Sequence, residues 1–284
     1  MAAKIIDGKK IADGIAKELK AKAKKMPRKP HLAVVLVGEN PASMIYVKNK
    51  EKRALESGFD ILVKRFPEKI GEAELLEEIS NLNNNNFIDG MIVQLPLPKH
   101  IDEDLIIDAI LPHKDADGFN PINLGNMFIG KNMVLPATPK GVIKLIESTG
   151  VKLDGLNAVV IGRSNIVGKP VAMLLLQKNM TVTVCHSKTK DLKKFTLDAD
   201  VLVAATGKPG LVTGDMIKKG AIVIDVGTTR VSDKLVGDVD FDSVSKVAGY
   251  ITPVQGGVGP MTIAMLLENT LECMMRSKGI TKGL

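Results

Sequence analysis

Tryptophan is missing altogether from this chain of 284 residues, and aromatic residues make up only 3% of it. Proteins that hold single-stranded nucleic acid use aromatic rings as stacking platforms, so that class of function has little to work with here. Cysteine is nearly as scarce. Cys185 and Cys273 are too few for a disulfide framework or a thiolate zinc site, and they suit a reducing, cytoplasmic setting. No cluster of Cys and His suggests a metal, so none is expected. No signal peptide opens the chain, and no run reaches the ~18 apolar residues that a membrane helix requires.

Positive charge is in surplus, with a formal net charge of +7. Lys17, Lys20, Lys22, Lys24, Lys25, Arg28 and Lys29 supply much of it near the start, where they read as a solvated helix face rather than a nucleic-acid patch. The same field would favour phosphorylated or polycarboxylate small molecules. The length exceeds the usual ~100–200 residues of one domain, which makes two domains the first expectation.

One stretch organises the rest. Asn157-Ala-Val-Val-Ile161 is an apolar, β-branched run, Gly162-Arg-Ser-Asn-Ile-Val-Gly-Lys-Pro170 a glycine-containing loop, and Val171-Ala-Met-Leu-Leu-Leu176 an apolar run at helical spacing. Strand, turn and helix in that order make a phosphate cradle, although the spacing is not the common Gly-x-Gly-x-x-Gly and an ordinary βα turn would look similar. Further strands at 181–186, 200–205 and 221–226 follow. Alternating strands and helices over 150–255 predict a doubly wound parallel sheet, and with it a bound nucleotide. An NAD enzyme commonly carries an acid about 20 residues past the loop, where this chain has Cys185-His-Ser-Lys188. With Arg163 in the loop and Ser187 opposite, the region offers donors to a 2′-phosphate, which favours NADP. His186 reads as a polar residue at the strand end.

Towards the N-terminus the pattern predicts an amphipathic helix over 7–26 and a buried strand over 31–37. Asn40-Pro41 then opens a helix that Gly58 closes. On it lie Ser43, Tyr46 and Lys50, the last two four residues apart and so on one face. A second strand over 59–66, a helix over 72–82 and a polar Asn turn at 83–86 lead to Ile88-Asp-Gly-Met-Ile-Val-Gln94, a short strand stopped by two prolines. That leaves the amide of Gln94 at a strand's C-terminal end, the edge where parallel sheets bind ligands. After a helix over 102–110 comes Lys114-Asp-Ala-Asp-Gly-Phe-Asn120. Two carboxylates before a glycine are as readily a turn device as a site, and they lack the further ligands of a calcium loop. Thr138-Pro139 caps a helix to 149. Near the end, Gln255-Gly-Gly-Val-Gly-Pro-Met-Thr262 has glycines enough for close backbone approach to a flat ligand, and a helix over 265–275 closes the chain.

Taken in order, Tyr46-Val-Lys-Asn-Lys50, Gln94-Leu-Pro-Leu-Pro98, Lys114-Asp-Ala-Asp-Gly-Phe119, Gly162-Arg-Ser-Asn-Ile-Val-Gly-Lys-Pro170, His186-Ser-Lys-Thr189, Gly237-Asp-Val-Asp240 and Gly256-Gly-Val-Gly-Pro-Met-Thr262 cover nearly the whole chain. In them the chain resembles the bifunctional methylenetetrahydrofolate dehydrogenase/cyclohydrolase family. The resemblance implies an α/β fold of two domains. An N-terminal α/β substrate domain over 1–137 would be completed by the C-terminal helix 262–284, and a Rossmann-type doubly wound sheet over 138–261 would hold NADP, with the active cleft between them. It further implies that Lys50 is the central catalytic group, Gln94 is bonded beside it, Tyr46 lies against the folate and Asp117 binds the pterin. Gly162, Arg163 and Ser164 would hold the cofactor phosphates, Ser187 the 2′-phosphate and Thr228 the nicotinamide end. Tetrahydrofolate derivatives are the implied substrates, and a homodimer the implied assembly. Three departures stand out: Ala137 replaces a common Cys, Gln255 a Pro, and Thr228-Thr229 an Ile-Asn.

Other readings use some of these residues. Short-chain dehydrogenases pair Tyr and Lys in the same way, but their glycine loop precedes the pair, whereas here 46–50 precedes 162–168. A shikimate-dehydrogenase-like enzyme has the same order of lobes. An NADP-sensing or RNA-binding protein is permitted by the charge, yet leaves Tyr46, Lys50, Gln94 and Asp117 without a purpose.

Overall fold

The computed structural model describes residues 2–131, 134–232 and 234–279. The chain divides into two compact units, one of Asp13–Ala137 with Ile263–Leu284, the other of Met1–Ala12 with Thr138–Thr262. It opens with β1 (Lys4–Ile5) and α1 (Gly8–Ala23).

The unit that begins at Asp13 is built from β2 (His31–Val37), α2 (Pro41–Glu56), β3 (Asp60–Phe66), α3 (Glu72–Asn84), β4 (Gly90–Val93), α4 (Glu103–Ala109) and α5 (Pro121–Phe128). Its strands form a parallel sheet in the order β3-β2-β4. Because β2 is central, both its faces are covered, and every residue from Leu32 to Val37 is buried, as parallel sheets demand. Leu75 and Ile79 of α3 and Ile106 of α4 pack with Ala33, Val35, Met91 and Val93 into its core. A single parallel bridge between Met91 and Asp115 extends the sheet beyond β4, so the segment 114–116 runs alongside β4 and ends at the same edge.

The other unit follows with α6 (Ala137–Glu147), β5 (Asn157–Ile161), α7 (Gly168–Gln177), β6 (Thr181–Cys185), α8 (Leu192–Thr196), β7 (Val201–Ala204), β8 (Ile222–Asp225), a hairpin of β9 (Thr229–Val231) and β10 (Lys234–Val236), α9 (Phe241–Val244) and β11 (Tyr250–Ile251). Six parallel strands are ordered β1-β11-β8-β7-β5-β6. After β6 the chain crosses back past β5 to start β7. The ends of β5 and β7 therefore flank the switch point, where a doubly wound sheet opens a crevice for ligands. The closing helix α10 (Val258–Ser277) begins in this unit's segment and ends in the other's.

Several boundaries differ from the sequence expectation. The first twelve residues belong with the six-stranded sheet and not with 13–137, because Lys4 and Ile5 pair with Tyr250 and Ile251. A strand of two residues carries no periodicity to read. Asn83 and Asn84 finish α3 instead of making a turn; the Asn83 side chain donates to Ala109 O at 2.7 Å and accepts from Leu111 N at 3.1 Å. The last helix starts at Val258, not at 265, so Gly259 and Pro260 lie in its first turn. The elements α5, α8 and the β9–β10 hairpin lie outside the sequence expectation. Among the described residues, no helix is long and apolar enough to cross a membrane.

Candidate active site

Asn40 caps α2, its side chain accepting from the N–H groups of Ala42 (3.0 Å) and Ser43 (3.1 Å), with Pro41 in the first turn. The helix buries Ser43, Val47, Lys50 and Ala54, residues three or four apart on one stripe. Lys50 thus takes a place in the buried stripe and is only 8% exposed, while Tyr46 stands at its margin, 44% exposed. The lysine Nζ donates to Gln94 Oε1 at 3.0 Å. Gln94 follows β4 directly, its N–H bonded to Val35 O at 2.8 Å, and its own Nε2 donates to Leu95 O at 2.8 Å. That second bond fixes the amide so that its oxygen faces the lysine.

The two carboxylates of the Lys114–Phe119 motif have separate tasks. Asp115 is the turn device: it accepts from Gly118 N (2.9 Å), Asn120 N (2.8 Å) and Asn123 Nδ2 (2.9 Å). The carboxylate of Asp117 accepts from no described residue and is only half-buried, so it is open to a ligand. Burial, together with the charge of Asp115 and against that of Lys50, pushes the Asp117 carboxyl up to about 6. Burial holds the Lys50 ammonium below its ordinary value, and Asp117 opposes this. The lysine therefore has a neutral acceptor in hydrogen-bond contact and a carboxylate within electrostatic reach.

Residues to which the sequence assigns no role hold this arrangement. Lys114 Nζ donates to the carbonyls of Leu82, Asn83 and Asn85 at 3.1, 2.7 and 2.8 Å, closing the C-terminus of α3. Asn269 of α10 donates from Nδ2 to Ala116 O at 2.9 Å and Leu135 O at 2.8 Å, pinning the backbone just before Asp117. Asn120 and Asn123 could have been suspected from Asn120-Pro121, the same opening as Asn40-Pro41. Nothing local marks Asn269, whose partners lie more than a hundred residues away.

The second cluster lines the C-terminal edge of the six-stranded sheet. Gly162 has φ +123° and donates its N–H to Cys185 O at 2.9 Å, bringing the ends of β5 and β6 together. A Cβ there would overlap Ala205 O, and one on Gly168 would overlap Gly162 O. These glycines thus permit the chain's own close approach at the switch point. Ser164 Oγ accepts from Val167 N (3.2 Å) and Gly168 N (3.3 Å), capping α7 and leaving its hydroxyl proton free to donate. Arg163, Ser164, Ser187, Lys188 and Thr228 are all exposed. His186 is a turn residue, its Nδ1 accepting from Lys188 N at 3.1 Å. Hydroxyls, a guanidinium and an ammonium with no carboxylate at the end of β6 make a donor set that fits a 2′-phosphorylated ribose, which an acid there would repel.

The glycine-rich wall at 255–262 proves to be in part internal packing. A Cβ on Gly8 would overlap Gly257 O, and Lys9 N donates to Gly256 O at 2.8 Å, so these glycines admit the start of α1. No group of three or more His, Cys, Asp and Glu among the described residues could hold a metal ion.

A doubly wound dinucleotide sheet in one unit, and in the other a buried lysine bonded to an amide within electrostatic reach of a carboxylate, define a nicotinamide-dependent two-domain enzyme. Residues 6–117 match the tetrahydrofolate dehydrogenase/cyclohydrolase catalytic domain, and residues 136–278 the NAD(P)-binding domain of the same family. The chain belongs to the tetrahydrofolate dehydrogenase/cyclohydrolase family. It is 56% identical over 276 residues to the bifunctional protein FolD of Listeria innocua, covering 96% of this chain and 97% of that one. The crystal structure of the bifunctional FolD methylenetetrahydrofolate dehydrogenase/cyclohydrolase from Campylobacter jejuni matches with a TM-score of 0.95 and 49% identity, over 97% of this chain and 100% of that one. The Trypanosoma brucei enzyme, solved with NADP cofactor and an inhibitor, matches with a TM-score of 0.95 at 41% identity, over 98% and 99% of the two chains.

Proposed function

We propose that this chain oxidises 5,10-methylenetetrahydrofolate to 5,10-methenyltetrahydrofolate with NADP and hydrolyses that product to 10-formyltetrahydrofolate, with Lys50 serving the second step. The nicotinamide of NADP, when bound, supplies the hydride acceptor of the first step. Gly162, Arg163 and Ser164 would hold the cofactor's phosphates, Ser187 the 2′-phosphate, and Thr228 the nicotinamide end. The hydride leaves a carbon bridging two folate nitrogens, and the positive charge left behind spreads over both. This step asks for placement of two flat rings rather than for proton transfer.

Water then adds to the cationic carbon and must lose a proton. A free lysine, with pKa ~10.4, is mostly protonated at neutral pH and is a poor base. Burial of Lys50 works against its charge. Gln94 orients the amine without the counter-charge that would raise its pKa again, and the arriving cation favours the neutral amine further. Lys50 takes the proton from water, and its ammonium can return one to the nitrogen that departs as the ring opens. Asp117 accepts from pterin N–H groups, and Tyr46 lies along the folate from the margin of the site. The observation that carries this reading is a buried lysine bonded to a neutral amide, within electrostatic reach of a carboxylate that has no donor among the described residues. A homodimer and a reducing, cytoplasmic setting complete the proposal; the two thiols, Cys185 and Cys273, are free and buried.

Ultraviolet absorbance during incubation with methylenetetrahydrofolate and NADP tests it. The expected record is formation of NADPH with a transient methenyl band that decays to 10-formyltetrahydrofolate. NADPH formation with no decay of the methenyl band beyond its rate in buffer would refute the second activity.

A further inference from the structure

The stretch Gly237-Asp-Val-Asp240 has no task in the mechanism above, yet it carries a fully buried carboxylate in the dinucleotide unit. Asp238 Oδ2 accepts from the backbone N–H groups of Thr206 (2.5 Å) and Gly207 (3.2 Å), the turn that follows β7. Its Oδ1 accepts from no donor among the described residues. That oxygen lies against Gly227, where a Cβ would overlap it. A second buried carboxylate, Asp225 at the end of β8, accepts from Gly227 N (3.1 Å), Asp238 N (3.0 Å) and Val239 N (3.1 Å). The pair ties the turns after β7 and β8 to the segment 237–239.

Those two turns stand at the C-terminal ends of strands beside the switch point, and the second carries Thr228. Backbone ties alone do not account for the unpaired oxygen. A buried acceptor without a donor is costly and rare, and an ionised one more so. What the pair provides is buried carboxylate charge against Gly227, the neighbour of Thr228, in surroundings of low dielectric where charge acts strongly. Burial pushes Asp225 up to about 6, Asp238 adding to the rise against the three N–H groups, so that at neutral pH the cluster still carries negative charge. The nicotinamide ring is a cation in NADP and neutral in NADPH.

Resting on the placement of the nicotinamide end at Thr228, we infer that Asp238 is a positioning residue for the dehydrogenase step: it fixes the turn at 206–207, packs against Gly227 beside Thr228, and favours the oxidised, cationic form of the cofactor there. The two effects have different signatures. Misplaced turns weaken both forms of the cofactor, whereas loss of the charge weakens NADP more than NADPH.

The test is Asp238→Asn, nearly isosteric, with NADPH affinity read by fluorescence titration and NADP affinity by competition. The expected result is a rise of roughly tenfold in the dissociation constant of NADP, with a smaller rise for NADPH. Methenyl hydrolysis in the same preparation should stay near the unmodified rate, which reports an intact fold. Equal weakening of the two forms, or none, would overturn the proposal. Should the variant not fold, the unmodified protein gives the answer. NADP must bind more tightly than 2′-phospho-ADP-ribose, which keeps the phosphates and lacks the cationic ring, and equal affinities overturn the proposal. Failure of the cofactor reading shows differently, as an unmodified protein that NADP does not saturate, and it would overturn both.

Discussion

Lys50 is buried in hydrogen-bond contact with an amide, while the Asp117 carboxylate acts on it only through its charge, and the proposed chemistry follows from that arrangement. Replacing it by Met keeps the length of the side chain and removes the proton acceptor. Methenyl hydrolysis should fall by at least ~10²–10⁴-fold, the usual share of a general base, and the methenyl compound should accumulate where it can be followed by absorbance. Hydride transfer, which needs no such base, should survive in part. Hydrolysis at near the unmodified rate would make Lys50 a packing residue. Asp117 gives a pH dependence with a definite sign. Its carboxyl, raised to about 6, is charged above that pH and protonated below it. A protonated carboxyl is a poorer acceptor for pterin N–H groups, so the KM for folate should rise as pH falls through about 6, and Asp117→Asn should flatten that profile. The linkage to stability runs the other way, since a raised carboxyl pKa adds stability that is full below the unfolded value near 3.8 and is lost as pH rises through 6. Asp117→Asn should therefore leave the melting temperature unharmed while weakening folate binding. Asp115→Asn, which disturbs three bonds holding the turn, should lower the melting temperature. A fall in melting temperature for Asp117→Asn with unchanged folate affinity would reverse the two assignments.

At the scale of elements, the site depends on segments that stop in the right places. The edge segment 114–116 pairs with Met91 only through Met91 N to Lys114 O (2.7 Å) and Ala116 N to Met91 O (3.1 Å), then must turn at once to present Asp117. Gly118 makes that turn with φ +76°, and a Cβ there would stand 2.6 Å from the backbone at Leu135 and Pro136. Gly118→Ala should destabilise the unit that begins at Asp13 by about 1–3 kcal/mol, the range of a strained backbone position, and should raise the KM for folate. Urea unfolding and steady-state kinetics would measure the two effects. A variant as stable as the unmodified protein would show that the turn relaxes without cost.

For the whole molecule, the residues proposed to hold NADP and those proposed to serve hydrolysis lie in different compact units, so the two activities should respond separately to substitution. Removing both the Arg163 guanidinium and the Ser187 hydroxyl, as Arg163→Ala with Ser187→Ala, should erase the preference for NADP over NAD in the dehydrogenase assay and leave methenyl hydrolysis near its usual rate. Equal turnover with NAD in the unmodified protein would contradict the reading of the β6 end. Lys50→Met should be the mirror image, with NADP binding intact.

The sequence by itself determined the class of fold and the chemistry available to it, because those rest on local signals. Apolar runs of strand length, Asn-Pro helix openings and glycines after strands are properties of a few neighbouring residues, and β2, α2, β5 and β8 follow from them closely, while α7 starts three residues earlier, at Gly168. The motifs also named Lys50, Gln94 and, through the resemblance, Asp117, although the residue pattern by itself does not separate Asp115 from Asp117, since two carboxylates in one turn look alike until their donors are known. The tertiary structure adds the donors: it brings Gly118, Asn120 and Asn123 onto Asp115 and gives Asp117 no donor among the described residues. It also decided that residues 4–5 join the sheet through Tyr250 and Ile251, and that Asn269 holds Ala116 and Leu135. These are pairings between residues more than a hundred positions apart. No periodicity encodes them, and they form only when folding of the chain brings distant backbone groups beside the donors and acceptors that can satisfy them.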